Sequence, residues 1–355
     1  MKAQVFYEAN NMRLEDVGIP QISADEVLIK VKVCGICGSD ISYFKGISPV
    51  ETAAGKGPLI LGHELSGEIV EIGDVPLKMS LFKIGDKVTV NPPMQCNACE
   101  MCSKGYVNLC EHTKSVGVSV NGGFAEYVKV RYTHVYKLPE SISFEEGALI
   151  EPFACSFYGV KNLSMESGDF VVVFGPGAIG LMMVQLIKMM GARKVALCGI
   201  FDYPLEKGAE FGADYIFNTL DKNSKYYTAD IKQSISQLTG GRMAERVIVP
   251  TNAVPAMQQA LEVSAKHGTV VFFGLPGSND KLQVPMLETL TGDKTFRFSW
   301  LAPQVWPTAL KTLSSGKIRL KELITNKFDL ESVPEAITFM GSNVQEKIKG
   351  IISIG

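Results

Sequence analysis

Apolar and polar positions along this chain change their period part-way through, and that change predicts its architecture. Up to about residue 150 the apolar residues come in short runs broken by glycine. Glu26 to Val33 alternates, Glu68 to Ile72 and Lys87 to Val90 are rich in β-formers, and Phe124 to Val130 follows Gly122-Gly123. This first part reads as β-rich. From about residue 154 an apolar strand, Phe170 to Phe174, is followed by a helix from about Ala178 to Met190, closed by Gly191. Then come a strand at Lys194 to Cys198, another helix, and strands at Tyr215 to Phe217, Arg246 to Val249 and Thr269 to Gly274. Alternating strand and helix predicts a parallel, doubly wound sheet.

After about residue 300 the pattern changes again, to helices near Trp306 to Ser314 and Val333 to Met340 and a terminal strand at Lys347 to Ile354. This tail is expected to return to the first domain. With no repeat, low-complexity tract or Pro/Ser-rich linker, the expected division is 1–153, 154–298 and 299–355, with tight boundaries. The fold class is α/β with a β-rich part.

Composition fits this picture. A chain of 355 residues with 46% hydrophobic content exceeds the comfortable size of one core, so two domains are expected. A net charge of −2, a pI near 6.2 and the lack of a Lys/Arg block offer nothing to nucleic acid or to anionic lipid. Met1 to Phe6 runs straight into a strand-like segment, and no apolar run reaches the roughly 18 residues of a spanning helix. A soluble, cytoplasmic protein with no membrane partner is expected. Its eight cysteines should then be reduced thiols, which points to metal binding or catalysis.

Four of them, Cys96, Cys99, Cys102 and Cys110, fall on one loop with the spacing C-x2-C-x2-C-x7-C. Four thiolates satisfy tetrahedral zinc completely and leave no position for substrate, so this site would be structural; an iron–sulfur cluster is the other group with that demand. Elsewhere stand Cys34-Gly-Ile-Cys37-Gly-Ser39-Asp40, Gly62-His63-Glu64 and Glu151-Pro152. A catalytic zinc needs about three protein ligands and one exchangeable position, which a thiolate, an imidazole and a carboxylate supply. Glycines around Cys37 and His63 suggest tight turns that aim ligands. His112, His134 and His267 have no such setting and are read as solvated or structural.

Phe170-Val-Val-Val-Phe174 leads at once into Gly175-Pro176-Gly177-Ala178-Ile179-Gly180 and an apolar helix. The first glycine allows the turn, the second lets backbone approach a pyrophosphate, and the third permits close helix–strand packing, the signature of a dinucleotide site. The methionines that follow, Met182, Met183, Met189 and Met190, read as core filling. About 20 residues on, an enzyme that selects NAD carries Asp or Glu at the end of the second strand. Here Gly199 takes that place and Asp202 follows on the loop, so NAD and NADP both stay open.

Cysteine lobe, Gly-His-Glu, Glu-Pro and strand-GxGxxG in this order resemble the zinc-dependent medium-chain dehydrogenase/reductase family over essentially the whole chain. The likeness is closest to its polyol branch of sorbitol and galactitol-phosphate dehydrogenases, with butanediol and secondary-alcohol dehydrogenases nearby. It implies a GroES-like catalytic domain interrupted by a Rossmann domain, two zinc ions per chain, NAD or NADP, a small polyol or secondary alcohol oxidised reversibly to the ketone, and a homodimer or homotetramer. By residue, it implies that Cys37 and His63 are constant catalytic zinc ligands. Glu64 and Glu151 match the carboxylates that reach zinc directly or through water, Ser39 the hydroxyl that takes the substrate proton, and the four lobe cysteines the structural zinc. Ser42 stands where many relatives have a histidine that ends the proton relay. The alternatives are a zinc-free quinone reductase of the same superfamily and a nucleotide-sensing protein without chemistry. Arg297 and Lys294 are read either as surface charge or as contacts for an anionic substrate.

Overall fold

The glycine-punctuated runs of the first part pair as antiparallel strands in the computed structural model, which describes residues 1–48 and 57–355. By mutual packing the chain divides into two units, Met1–Pro152 with Trp306–Gly355, and Phe153–Val305. In the first unit β1 (Lys2–Glu8), β2 (Asn11–Asp16) and β4 (Leu59–Ile60) form a small sheet in the order β2-β1-β4. The main sheet contains β3 (Glu26–Gly35), β5 (Glu64–Ile72), β6 (Lys87–Val90), β9 (Tyr127–Arg131) and β10 (Val135–Lys137). Between them in sequence, β7 (Pro93–Met94) and β8 (Lys114–Ser115) pair as a short ribbon.

Alternation in β3 has its expected effect: Val27, Ile29 and Val31 enter one core with Leu65 and Ile69 of β5 and Val88 and Val90 of β6. β9 starts at Tyr127 and not at Phe124, because the preceding backbone bonds outside the ladder. Phe124 N–H donates to Leu61 O at 3.0 Å and Gly123 N–H to Gly62 O at 2.7 Å.

The second unit carries β11 (Phe170–Phe174), β12 (Lys194–Gly199), β13 (Tyr215–Asn218), β14 (Ala244–Val249), β15 (Ser264–Phe272) and β16 (Thr295–Phe298). All pair in parallel, in the order β13-β12-β11-β14-β15-β16. Every residue of β11 is buried, as a central strand covered on both faces requires. β15 begins five residues earlier than its apolar run, at Ser264, and His267 at φ 57° interrupts its register. In the helix Ala178–Met189, Met182 and Met183 are fully buried, but Met189 and the following Met190 are exposed by 37% and 43%. Only the first pair fills the core, because the helix end turns outward.

The tail completes the first unit. β17 (Ile324–Asp329) pairs in parallel with β18 (Lys349–Ser353), and β18 runs antiparallel to β3. The main sheet therefore reads β10-β6-β5-β3-β18-β17, with β9 also pairing β3. The helix Val333–Met340 adds Val333, Ala336 and Ile337 to the first unit's core. Gly35 of β3 faces Glu64 on one side and Ile351 on the other. Because it has no side chain, the Glu64 carboxylate lies across it: a Cβ there would sit 2.1 Å from Oε2. Over this gap Glu64 forms an ion pair with Lys349, and Lys349 Nζ also donates to Ile36 O at 2.9 Å. Both side chains are nearly inaccessible, at 1% and 6%. Burial lowers the Lys349 pKa, but the charges of Glu64, Cys37 and Glu151 more than offset this and raise it.

Two outcomes follow from these buried charges. Lys349→Met leaves Glu64 alone in the sheet and is expected to destabilise the first unit by about 3–5 kcal/mol, with most of the loss recovered in Lys349→Met/Glu64→Gln. Urea unfolding measures both, and additive losses would show that the pair contributes nothing. His134 is also buried, and burial, then Arg131, holds its pKa down to about 4. The unfolded chain, with an ordinary value near 6.5, takes up a proton that the folded chain refuses. The neutral ring's contribution is therefore complete above about pH 6.5 and falls by up to about 3 kcal/mol as pH drops towards 4. His134→Asn should flatten the stability profile between pH 7 and 5, and an unchanged slope would show that another group titrates.

Candidate functional site

Where β3 ends, Cys37 caps the helix Gly38–Phe44 in extended conformation, at φ −96° and ψ 157°. Asp40, three residues on, turns back: its Oδ2 accepts the Cys37 N–H at 2.9 Å, the reciprocal half of a capping arrangement. Its Oδ1 lies 3.6 Å from His63 Nδ1. His63 immediately precedes β5, and Glu64 is the first residue of that strand. One donor atom each from Cys37, His63 and Glu64 thus falls within 4.8 Å of the others. Burial lowers the His63 pKa, but Asp40 and Cys37 reverse this and carry it well above its usual value. A thiol, an imidazole and a carboxylate converging in this way suit zinc, and a fourth position remains for an exchangeable ligand.

The other sequence-predicted members stand around this group. Glu151 is buried at the second position of the helix Ile150–Asn162 and acts electrostatically on Lys349. Ser39 is half-buried at the second position of the Cys37-capped helix. Ser42 Oγ donates to Gly38 O at 3.0 Å, so its hydroxyl is bound back to its own helix. Cys34 is a packed thiol whose pKa burial pushes well up, as befits a core residue. His112 and His267 are exposed.

Two residues with a clear place here had no role in the sequence reading. Asp40 stood within the Cys37 run, and its spacing from Cys37 was the available signal. Lys349 left none, since 313 residues separate it from Ile36, whose carbonyl it binds.

The second cysteine group gathers as expected: donor atoms of Cys96, Cys99, Cys102 and Cys110 lie within 4.8 Å of one another. Backbone N–H groups turn inward on the sulfurs, Cys96 N to Cys110 Sγ at 3.3 Å and Cys99 N to Cys96 Sγ at 3.3 Å. Such donors favour the thiolates that a metal needs, and they lower the pKa of Cys96 and Cys99.

In the second unit, Gly175 turns the chain out of β11 at φ 117°, and its N–H donates to Cys198 O at 2.8 Å. A Cβ on Gly180 would lie 1.9 Å from Gly175 O, so the helix packs on the strand only with glycine there. Gly177 caps the helix, and a Cβ on it would meet none of the described atoms within 4 Å, which leaves the backbone open to approach. Ala178, Ile179 and Gly180 then present first-turn N–H groups that lack helical acceptors, the usual cradle for a phosphate. Arg297 is occupied elsewhere, donating to Asn162 O at 3.0 Å and Ser164 Oγ at 2.6 Å. Lys294 corrects the reading as surface charge: its side chain is 3% exposed and pairs with Glu288 at 2.7 Å.

These features agree with the chain's relatives. The alcohol dehydrogenase GroES-like domain matches residues 23–140, and the zinc-binding dehydrogenase model matches residues 178–315. Sorbitol dehydrogenase of Bacillus subtilis is 32% identical over 95% of this chain and 92% of its own length. D-arabitol-phosphate dehydrogenase of Enterococcus avium is 34% identical over 92% of this chain and 90% of its own. A zinc-binding dehydrogenase of Sinorhizobium meliloti, solved with NADP, superposes with a TM-score of 0.90 at 28% identity, covering 99% of this chain and 98% of that one. Its two family domains, its sheet order and its near-complete match to these enzymes make this chain a member of the zinc-binding alcohol dehydrogenase family.

Proposed function

We propose that this chain oxidises a small polyol or secondary alcohol to the ketone, reversibly, with NAD or NADP as hydride carrier and two zinc ions per chain. The observation that carries the reading is the convergence of Cys37, His63 and Glu64 donor atoms within 4.8 Å, beside Ser39. Zinc, when bound, supplies a Lewis acid that lowers the pKa of an alcohol oxygen and polarises a ketone. Cys37 and His63 are its constant holders, and Glu64 and Glu151 share the carboxylate role. Asp40 Oδ1, 3.6 Å from His63 Nδ1, places its negative charge beside the imidazole. Lys349 holds Glu64 and sets how strongly that carboxylate competes for the open position.

Ser39 Oγ accepts the substrate's hydroxyl proton. Ser42 does not extend this path, because its hydroxyl is tied to Gly38 O, so the proton leaves through water. Gly175 to Gly180 hold the dinucleotide's pyrophosphate at the helix start, with Gly199 beside its ribose. The four lobe cysteines hold the second zinc and stabilise a loop with little core of its own.

The domain scheme in this reading is a catalytic domain of 1–153 and 299–355 around a dinucleotide-binding domain of 154–298. A homodimer or homotetramer is part of it. In its support, β16 is the edge of its sheet and carries Phe298, 75% exposed, and the helix that precedes it in sequence, Met286–Thr291, carries Leu287 and Leu290, exposed by 77% and 76%. A cytoplasmic setting suits thiols kept reduced for metal. Among the described residues no helix is long and apolar enough to cross a membrane.

Metal analysis is expected to find two zinc ions per chain, and one in Cys37→Ala, with the fold intact. Turnover of C4 to C6 polyols by that variant should fall by well over about a hundredfold, since even outer partners of a metal site are worth about 10–100-fold. Full turnover in Cys37→Ala, or one zinc in the unaltered chain, would instead place it with the zinc-free quinone reductases.

A further inference from the structure

Resting on the dinucleotide reading above, we infer that this chain does not discriminate against a 2′-phosphate and binds NADP(H) and NAD(H) with similar affinity. Selection of NAD depends on a carboxylate at the end of the second strand of a doubly wound unit. It accepts from the ribose 2′-hydroxyl and repels a phosphate in its place. In this chain that position is closed to a side chain. A Cβ on Gly199 would lie 2.5 Å and 2.6 Å from Cγ and Cδ of Pro176 and 3.4 Å from Leu205 Cδ2. Pro176 is the second residue of the glycine turn itself. The proline ring therefore occupies the space that an aspartate at 199 would need, and the two residues form one steric unit.

The next carboxylate along the chain, Asp202, is anchored through one oxygen by its own contacts. It opens the helix Asp202–Glu210, and its Oδ1 accepts from Asn218 Nδ2 at 2.7 Å and from Ser224 Oγ at 2.6 Å. Asn218 is itself buried, and its Oδ1 accepts from the backbone of Leu220 and Asp221 at 3.0 and 2.9 Å, so the anchor for Asp202 is rigid. The loop after β13 lies against the strand end: Thr219 N–H and Oγ1 both donate to Gly199 O, at 2.8 and 3.2 Å. Its remaining charges are mixed. Asp221 accepts from Asn223 N–H at 2.9 Å, Lys222 is exposed, and Lys225 pairs with Glu206 at 3.2 Å. Nothing in this set gives the strand end the concentrated negative charge that excludes NADP.

Binding, and not turnover, tests this directly. NADH and NADPH fluorescence titrations of the zinc-loaded protein should give dissociation constants within about tenfold of each other, less than about 1.4 kcal/mol apart. NADPH weaker than NADH by more than about a hundredfold would overturn the inference, whereas binding of neither would overturn the dinucleotide reading on which it rests. Two variants locate the cause. Asp202→Asn should leave the NADH/NADPH ratio unchanged, and a shift of about tenfold or more towards NADPH would make Asp202 the reader after all. Pro176→Ala/Gly199→Asp supplies the missing carboxylate together with its space. It should retain NADH binding and weaken NADPH by at least about tenfold, and an unchanged ratio would show that this corner does not select.

Discussion

A charged carboxylate buried among strands is costly without a cation beside it, and in this protein that constraint ties β3, β5 and β18 of the first unit together. Glu64 lies across the bare backbone of Gly35, and Lys349 meets it from the far side of β3. Desolvating two charges is expensive, and such pairs rarely raise net stability over an apolar core. The value of this one lies in placement. It fixes a carboxylate oxygen within reach of Cys37 and His63 and keeps it from swinging at random.

The two metal groups solve different physical problems. Around the four cysteines the chain spends backbone N–H groups on sulfur, in a lobe whose other secondary structure is one short ribbon and brief helical turns. Ligands there come from one stretch of sequence and close on themselves. Cys37, His63 and Glu64 come instead from two separate places, the helix start after β3 and the start of β5, and two neighbours outside the cluster hold its members: Asp40 accepts the Cys37 N–H and Lys349 pairs with Glu64. A rigid sheet supplies the precision, and the helix start at Cys37 supplies the turn.

Much of this was legible in the sequence because the signals are local. The cysteine lobe and the glycine turn lie within short stretches, so spacing alone carries their chemistry. The fully apolar run of β11 and the alternation of β3 gave the two fold types. Lys349 was illegible because an isolated lysine in a terminal strand looks like any solvated charge until β18 is placed beside β3. Asp202 was legible as a carboxylate but not as one anchored through Oδ1, because Asn218 and Ser224 reach it only when the loop after β13 folds back. Met189 and Met190 looked like core from composition, and their exposure depends on where the helix ends.

The late position of Lys349 bears on how the protein is made. A ribosome delivers Cys37, His63 and Glu64 early, and Lys349, the cation that pairs with Glu64, only 285 residues after Glu64 itself. For most of synthesis the nascent first unit holds an unneutralised carboxylate and an open edge on β3 where β18 will dock. Its assembly therefore cannot finish domain by domain from the N-terminus. The second unit, with every strand contiguous between β11 and β16, is free to fold while the first still waits for its last strand.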